Sequence, residues 1–471
     1  MDDIFLLPSH PGITSTDPLS VCNADDSLPT AWAVFTASVD SFRSANLFTL
    51  HQLPNLIEDL AYSLHLNGHA DTKFLRQFLY DTYPNPNSPL PVLLLNEILD
   101  SALALPLLFP SHEIIYLSTQ QPLLNFSGAQ IRSLVAHQLL GTLKLPRGNT
   151  WGSTLLCWYS EPQPLEHAVH GYLETVFHFF QARQTDSRPV LYEFCSAASR
   201  LSNEGPHSWQ TCHSPLFKHL IIEPIGASTV PFPHDTLTCT LISSNTSPGF
   251  GPGGTQEELV TGACPGLLPL GALCVSPPVP PNAAILARGV APASAWRGQG
   301  RDARLVSLLR GETRHMFLLL DALELDLASS PTEPAVLPDL IPHNLLRELH
   351  KAFIGFSALP PRGITNIAAP LWGTSAFCGD PIVKSLIMAM AAARAGVTVC
   401  LAVDQARSYA HPKSAFGNDN GPDSRNVLQV LQNLKEKSGD MTVGEAWDHL
   451  AGDKVWTCAD GCDVARMFAA T

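Results

Sequence analysis

The sequence has little charge for its length. Only 15% of its 471 residues are Asp, Glu, Lys or Arg, and the net charge is −14. No cluster of Lys and Arg stands out. That argues against binding the phosphate backbone of nucleic acid as the main role. No hydrophobic run is long enough to span a bilayer, and no membrane attachment is expected. The start, MDDIFLLPSHPG, lacks the basic and apolar regions of a secretory signal. The eleven cysteines are odd in number and scattered singly, which fits reduced thiols inside a cell. Cys458 and Cys462 have no matching second pair, so zinc is not expected. His167, His170 and Glu174 can share a helix face but find no completing partner. No metal and no cofactor are therefore expected.

What the sequence has is apolar residue, 45% of the chain, in a length that implies two domains. Residues 1–45 are proline-rich and read as irregular. Helical patterns follow: Leu56, Ile57, Leu60 and Leu64 after Pro54; Phe74, Leu75, Phe78 and Leu79; a nearly continuous apolar run from Val92 to Leu105; Ala129–Leu140 after a Ser127 cap; and Leu165–Ala182, with Val169, Tyr172, Leu173, Val176 and Phe177 on one side. After about residue 215 the period shortens. Phe217–Glu223, Leu237–Ser243, Ala284–Val290, His315–Leu323, Ile364–Ala369 and Val397–Val403 read as strands. Helical patterns at Leu345–Phe353, Pro381–Ala395 and Val427–Lys437 lie among or after them. Pro277–Pro281 and Ser408–Ser424 read as loops. Strands alternating with helices imply an α/β layer architecture.

Two stretches invite a chemical reading. Gly249–Glu258 (GFGPGGTQEE) packs glycines at 249, 251, 253 and 254, then two adjacent carboxylates. Glycine amides leading into a helix N-terminus suit an anion such as a pyrophosphate, and the carboxylates suit acid catalysis beside it. The same residues also read as a capping box, with Thr255 as N-cap and Glu258 as its partner three residues on. The second stretch is Gly373–Phe377, between a strand and the helix begun by Pro381. Loops at the carboxyl ends of strands bind ligands in open α/β sheets. Backbone at Gly373–Ala376 would meet a phosphate, and Phe377 would stack on a base or ribose; an ordinary strand-to-helix turn with a core Phe is the plain alternative.

These residues resemble the poly(ADP-ribose) glycohydrolase family. Its signature is a glycine run followed by Gln-Glu-Glu, matched by Gly249–Glu258. Arg347–Phe356 (RELHKAFIGF) is similar to the family's R-E-L-N-K-A-Y-x-G-F. Leu371–Asp380 (LWGTSAFCGD), running into Lys384–Ala393, is similar to N-W-G-x-G-A-F-x-G-D and its following helix. Leu319–Leu323, Gln130–His137, Ala104–Pro110 and Thr442–Trp447 match in order as well, so the resemblance covers residues 95–450.

The resemblance implies an α/β macrodomain-like core, a mixed sheet with flanking helices, over 211–471. An α-helical accessory domain over 46–210 would precede it. It implies hydrolysis of the ribose–ribose O-glycosidic bonds of poly(ADP-ribose), with Glu258 as acid and then base. Glu257 and Asn245 would hold the ribose at the scissile bond, and Gln256 would line that position. Gly249, Gly251, Gly253, Gly254 and the loop Gly373, Thr374, Ser375, Ala376 and Phe377 would grip the diphosphate and the adjoining sugar or base. Partners would be poly(ADP-ribose) or ADP-ribosylated proteins, with no direct nucleic acid; a monomer in nucleus or cytoplasm is expected.

The chain departs from the pattern. The family's aspartate three residues before the Asn falls on Ile242. Its Tyr-Thr-Gly-Tyr segment falls on Trp296–Gln299, so Gln299 replaces a stacking tyrosine and Trp296 takes the first place. The carboxylate that reads adenine has no counterpart between Gly226 and Asp235, and a later aromatic appears as Ala402 or Val403. Two rivals stay open: a non-catalytic ADP-ribose-binding module, and a hydrolase of single ADP-ribose groups on proteins.

Overall fold

The computed structural model describes residues 4–15, 29–45, 48–64, 68–143, 154–182, 188–196, 206–225, 237–310, 313–325, 337–405 and 426–470, apart from 272, 277, 453–457 and 459. The loop expected at Ser408–Ser424 and the stretch Gly226–Asp235 lie outside them. The strands in chain order are β1 (Ile4–Leu6), β2 (Glu113–Ile115), β3 (Leu123–Phe126), β4 (Val190–Ser196), β5 (Leu220–Ile225), β6 (Thr238–Ser244), β7 (Ala283–Val290), β8 (Ser294–Arg297), β9 (Arg304–Leu308), β10 (His315–Asp321), β11 (Asn366–Ala369) and β12 (Thr398–Asp404). The chain divides into two compact units that interleave along the sequence. The first comprises 1–192, 247–278 and 288–314; the second comprises 193–246, 279–287 and 315–471.

The first unit is mainly helical. Its helices include Leu53–Leu64, Lys73–Thr82, Pro89–Leu103, Gly128–Leu139, Glu166–Gln181 and Gln256–Ala263. Each follows from its spacing: Leu53–Leu64 buries Leu53, Leu56, Ile57, Leu60, Ala61 and Leu64, a single stripe at three- and four-residue steps. Ser127 caps Gly128–Leu139 and exchanges hydrogen bonds with Gln130 in a full capping box. Arg132, from that helix, donates to the carbonyls of Phe179, Phe180 and Ala182 and pairs with Glu97 at 2.7 Å. A buried cation thus satisfies the last carbonyls of Glu166–Gln181, where the helix dipole is negative.

The opening residues correct one expectation. Segment 1–45, read as irregular, holds β1, which pairs antiparallel with β2, and a 14-residue helix, Ala31–Ser44. Thr30 caps that helix by accepting from the Ala33 amide, and Phe35 and Val39 are fully buried. Its prolines, at 8, 11, 18 and 29, all precede the helix, so they never interrupt its hydrogen bonds.

The second unit is built on a sheet. Seven strands of one sheet run through it in the order β4-β7-β10-β6-β11-β12-β5. The pairings β10·β6, β6·β11, β11·β12 and β12·β5 are parallel. Each strand expected from the sequence after residue 215 is present, within two or three residues of its expected ends. β4, at 190–196, was not anticipated. Helix Pro381–Ala395 connects β11 to β12 and is buried over 12 of its 15 residues. Asp380 caps it by accepting from the amides of Ile382 and Val383, and Gly396 ends it with φ of 71°. One hydrophobic core joins this helix and Pro342–Ser357 to the sheet.

That core also encloses charge. Lys384 is fully buried, and its ammonium meets the Glu348 carboxylate and lies 3.2 Å from Asp339. Arg347 pairs with Glu348 at 2.5 Å and with Asp321, and Lys351 reaches Asp321 at 2.6 Å. Three cations face three carboxylates, so none of these charges is left uncompensated.

Candidate active site

In the first unit the glycine loop is gripped by its carbonyls. Trp158 Nε1 donates to the Gly251 carbonyl, and the Tyr172 hydroxyl donates to that of Gly253, both at 2.8 Å. The Gly300 amide donates to the Gly254 carbonyl at 2.7 Å. A Cβ on Gly254 would stand 2.7 Å from the Gly300 carbonyl oxygen, so only glycine permits that backbone approach. With three carbonyls tied back, the amides of Phe250, Gly251 and Gly254 meet no acceptor among the described residues. Phe250, Gly251 and Gly254 are buried. Buried amides without partners are uncommon and mark a place where water or an anion completes the bonding.

The two carboxylates close this loop. Glu257, 6% exposed, accepts from the Gly249 amide at 3.0 Å. Glu258, 4% exposed, accepts from the Gly253 amide on Oε1 at 3.0 Å. Its Oε2 accepts from the Thr255 amide and hydroxyl at 2.9 and 2.8 Å, while its own amide donates to Thr255 Oγ1. The capping box read from the sequence is therefore present. Glu258 is not a surface group: its charge helps, after burial, to push the Cys157 thiol up to about 12 and to raise the Tyr172 phenol.

Trp296, expected to touch substrate, is 1% exposed. It packs against Tyr172 in a tilted arrangement with ring centroids 4.9 Å apart, lies over Gly171 and donates to Ser294 Oγ. Its ring supports Tyr172 and thereby the loop. Gln256 is half-buried at the first helical position.

The remaining expected residues belong to the second unit, at the carboxyl ends of neighbouring parallel strands. Asn245 follows β6 directly. Its Nδ2 donates to Glu324 Oε1 at 2.9 Å. Gly373, with φ of 68°, donates its amide to Ser243 Oγ at 3.1 Å. Trp372 Nε1 donates to the Leu320 carbonyl at 3.0 Å. The Thr374 hydroxyl is turned inward to the Leu371 carbonyl, whereas Ser375 and Ala376 are exposed. Phe377 is half-buried against the core. Its carbonyl accepts from the Leu325 amide at 3.1 Å.

The structure thus gathers Gly249–Glu258 and Trp296 in the first unit, and Asn245 with Gly373–Phe377 in the second. The residues that sequence reasoning missed are the supports. Trp158 carried no motif, and Tyr172 read as one member of an apolar stripe. A buried Tyr or Trp must satisfy its O–H or N–H, and that need is the available signal. Among the described residues no group of His, Cys, Asp and Glu can hold a metal ion; His170 pairs with Glu174 at 3.2 Å. No helix among them is long and apolar enough to cross a membrane.

A sheet with a parallel run of β10, β6, β11, β12 and β5, flanked by helices and with the Gly373 loop following β11, defines a macrodomain-type fold. Residues 238–409 match the family model described as poly(ADP-ribose) glycohydrolase, macro domain fold. No curated protein matches the chain. Among solved structures it is similar to a point mutant of the poly(ADP-ribose) glycohydrolase of Deinococcus radiodurans in complex with ADP-ribose, at 13% identity and a TM-score of 0.31 over 47% of this chain and 89% of that one. A second structure of that bacterial enzyme with ADP-ribose is similar at 12% identity and the same 0.31, over 52% and 94%. Likeness at that level carries nothing about the site.

Proposed function

We propose that this protein is a poly(ADP-ribose) glycohydrolase that hydrolyses ribose–ribose O-glycosidic bonds, with Glu258 as general acid and base. The observation that carries the reading is the pairing of a buried carboxylate with a loop whose carbonyls are tied back and whose Phe250, Gly251 and Gly254 amides meet no acceptor among the described residues. Such amides suit a diphosphate, and a diphosphate brings the adjoining ribose to a neighbouring acid. Protonated Glu258 would give its proton to the bridging oxygen as the glycosidic bond breaks, and the nearby phosphate charge would offset the oxocarbenium character of the ribose. Water then adds to the anomeric carbon and returns a proton to the carboxylate. Glu257, tied to the Gly249 amide, and Asn245 are proposed to hold ribose hydroxyls, and Gly373–Phe377 to hold diphosphate and base. A monomer in nucleus or cytoplasm is part of the proposal.

One observation favours a second reading. Every hydrogen bond recorded for the Glu258 carboxylate comes from its own cap or from Gly253. A group so occupied also suits a non-catalytic ADP-ribose-binding module. The variant Glu258→Gln separates them. An enzyme loses shortening of poly(ADP-ribose) by roughly 10²–10⁴-fold and keeps ADP-ribose binding. Wild-type protein that binds ADP-ribose yet shortens no polymer, or a Gln variant that turns over like wild type, rejects the catalytic reading.

A further inference from the structure

We propose that Glu324 is a specificity-determining residue whose carboxylate accepts hydrogen bonds from hydroxyls of the ligand's terminal ribose; this rests on the ADP-ribose reading above. β10 and β6 run parallel, and their paired register ends at Asp321 and Ser244. Asn245 is the next residue after β6, and Glu324 lies three residues beyond β10. Both therefore stand where ligands bind in parallel sheets. The Asn245 amide donates to Glu324 Oε1 at 2.9 Å.

The backbone on either side of Glu324 is anchored. The Leu323 amide donates to Glu348 Oε1 at 3.2 Å, and the Leu325 amide donates to the Phe377 carbonyl at 3.1 Å. Arg347 Nη1 holds the Asp321 carbonyl at 2.8 Å. A turn fixed at both ends presents an exposed carboxylate in one place, at little ordering cost on binding. No cation pairs with Glu324 among the described residues, and its Oε2 meets no donor there.

The chemistry narrows what this carboxylate takes. An ionised carboxylate only accepts hydrogen bonds, so its ligand atoms are donors. Its negative charge repels a diphosphate, which assigns it to a sugar rather than to the phosphates. A carboxylate on the ribose hydroxyls is the same solution that dinucleotide-binding folds reach. Glu324 supplies an acid to Asn245 from the end of the next strand.

The test is calorimetric titration of the full chain with ADP-ribose and with ADP, which lacks the terminal ribose. Glu324→Gln is expected to weaken ADP-ribose about tenfold, as loss of a charge-assisted hydrogen bond does. Glu324→Ala weakens it at least as much, Glu324→Asp restores part, and ADP affinity stays put. Glu324 is exposed, so circular dichroism should show the variants folded. ADP-ribose binding by Glu324→Ala at wild-type strength, or equal weakening of ADP, overturns the assignment while leaving the ADP-ribose reading intact. Wild-type protein that binds neither nucleotide overturns both.

Discussion

Thr255 and Glu258 hold each other. The Glu258 amide donates to Thr255 Oγ1 at 3.3 Å, and the Thr255 hydroxyl donates to Glu258 Oε2 at 2.8 Å. One hydroxyl therefore both starts a helix and aims the proposed acid. Thr255→Ala should cost about 1 kcal/mol of stability, the ordinary worth of an N-cap. It should also lower turnover, because the carboxylate loses a donor, and Thr255→Ser should restore both. Thermal unfolding beside a polymer-shortening assay checks this; lost stability with untouched turnover would mark Glu258 as a cap alone.

Gly253 offers a sharper probe. A Cβ there would stand 2.5 Å from Glu258 Oε2. Gly253→Ala should push the carboxylate away and reduce turnover by an order of magnitude or more, with about 1–3 kcal/mol of destabilisation from overpacking. Steady-state kinetics should place the loss in kcat more than in KM.

The buried ion network gives a stability prediction. Lys384→Met removes the cation facing Glu348 and Asp339 and leaves two buried carboxylates short of a partner. The expected cost is roughly 3–5 kcal/mol. Urea unfolding measures it, and a loss below about 1 kcal/mol would show that the pair is hydrated.

Two buried groups set opposite pH slopes. Burial lowers His137 to about 4, although its Nε2 lies 3.0 Å from the Ala102 carbonyl. The unfolded chain protonates this histidine first, so stability falls as pH drops from about 6.5 to about 4. Burial raises Asp380 to about 7, against the amides of Val383, Gly461 and Ile382 that favour the ionised form. The folded chain keeps that proton longer, so stability falls as pH rises from about 4 to about 7. Urea midpoints across pH for wild type, His137→Gln and Asp380→Asn should show each slope disappear with its residue. Asp380→Asn should also weaken the tie to the Gly461 amide, now 2.9 Å from Oδ2.

The helices of the first half were legible because their apolar residues recur at one period, as in Leu53–Leu64. The parallel strands were legible because runs such as Val397–Val403 are apolar and bounded by helix signals. The hairpin β8·β9 was not: Ser294–Arg297 is too short and mixed to carry a period of two. The helix Ala31–Ser44 was obscured by the prolines ahead of it.

By itself the sequence determined which residue types lie at each loop: the glycines of 249–254, the paired acids after them, the Thr255 cap and the small residues of 373–376. Those are local, and a cap or a glycine acts on backbone within a few residues. Only the tertiary structure decided that Trp158 and Tyr172 turn the loop's carbonyls away from its amides, that Trp296 lies inside, and that Glu324 faces Asn245. Such contacts join residues 79 to 93 positions apart, and no pattern along the chain records which buried donor meets which distant oxygen.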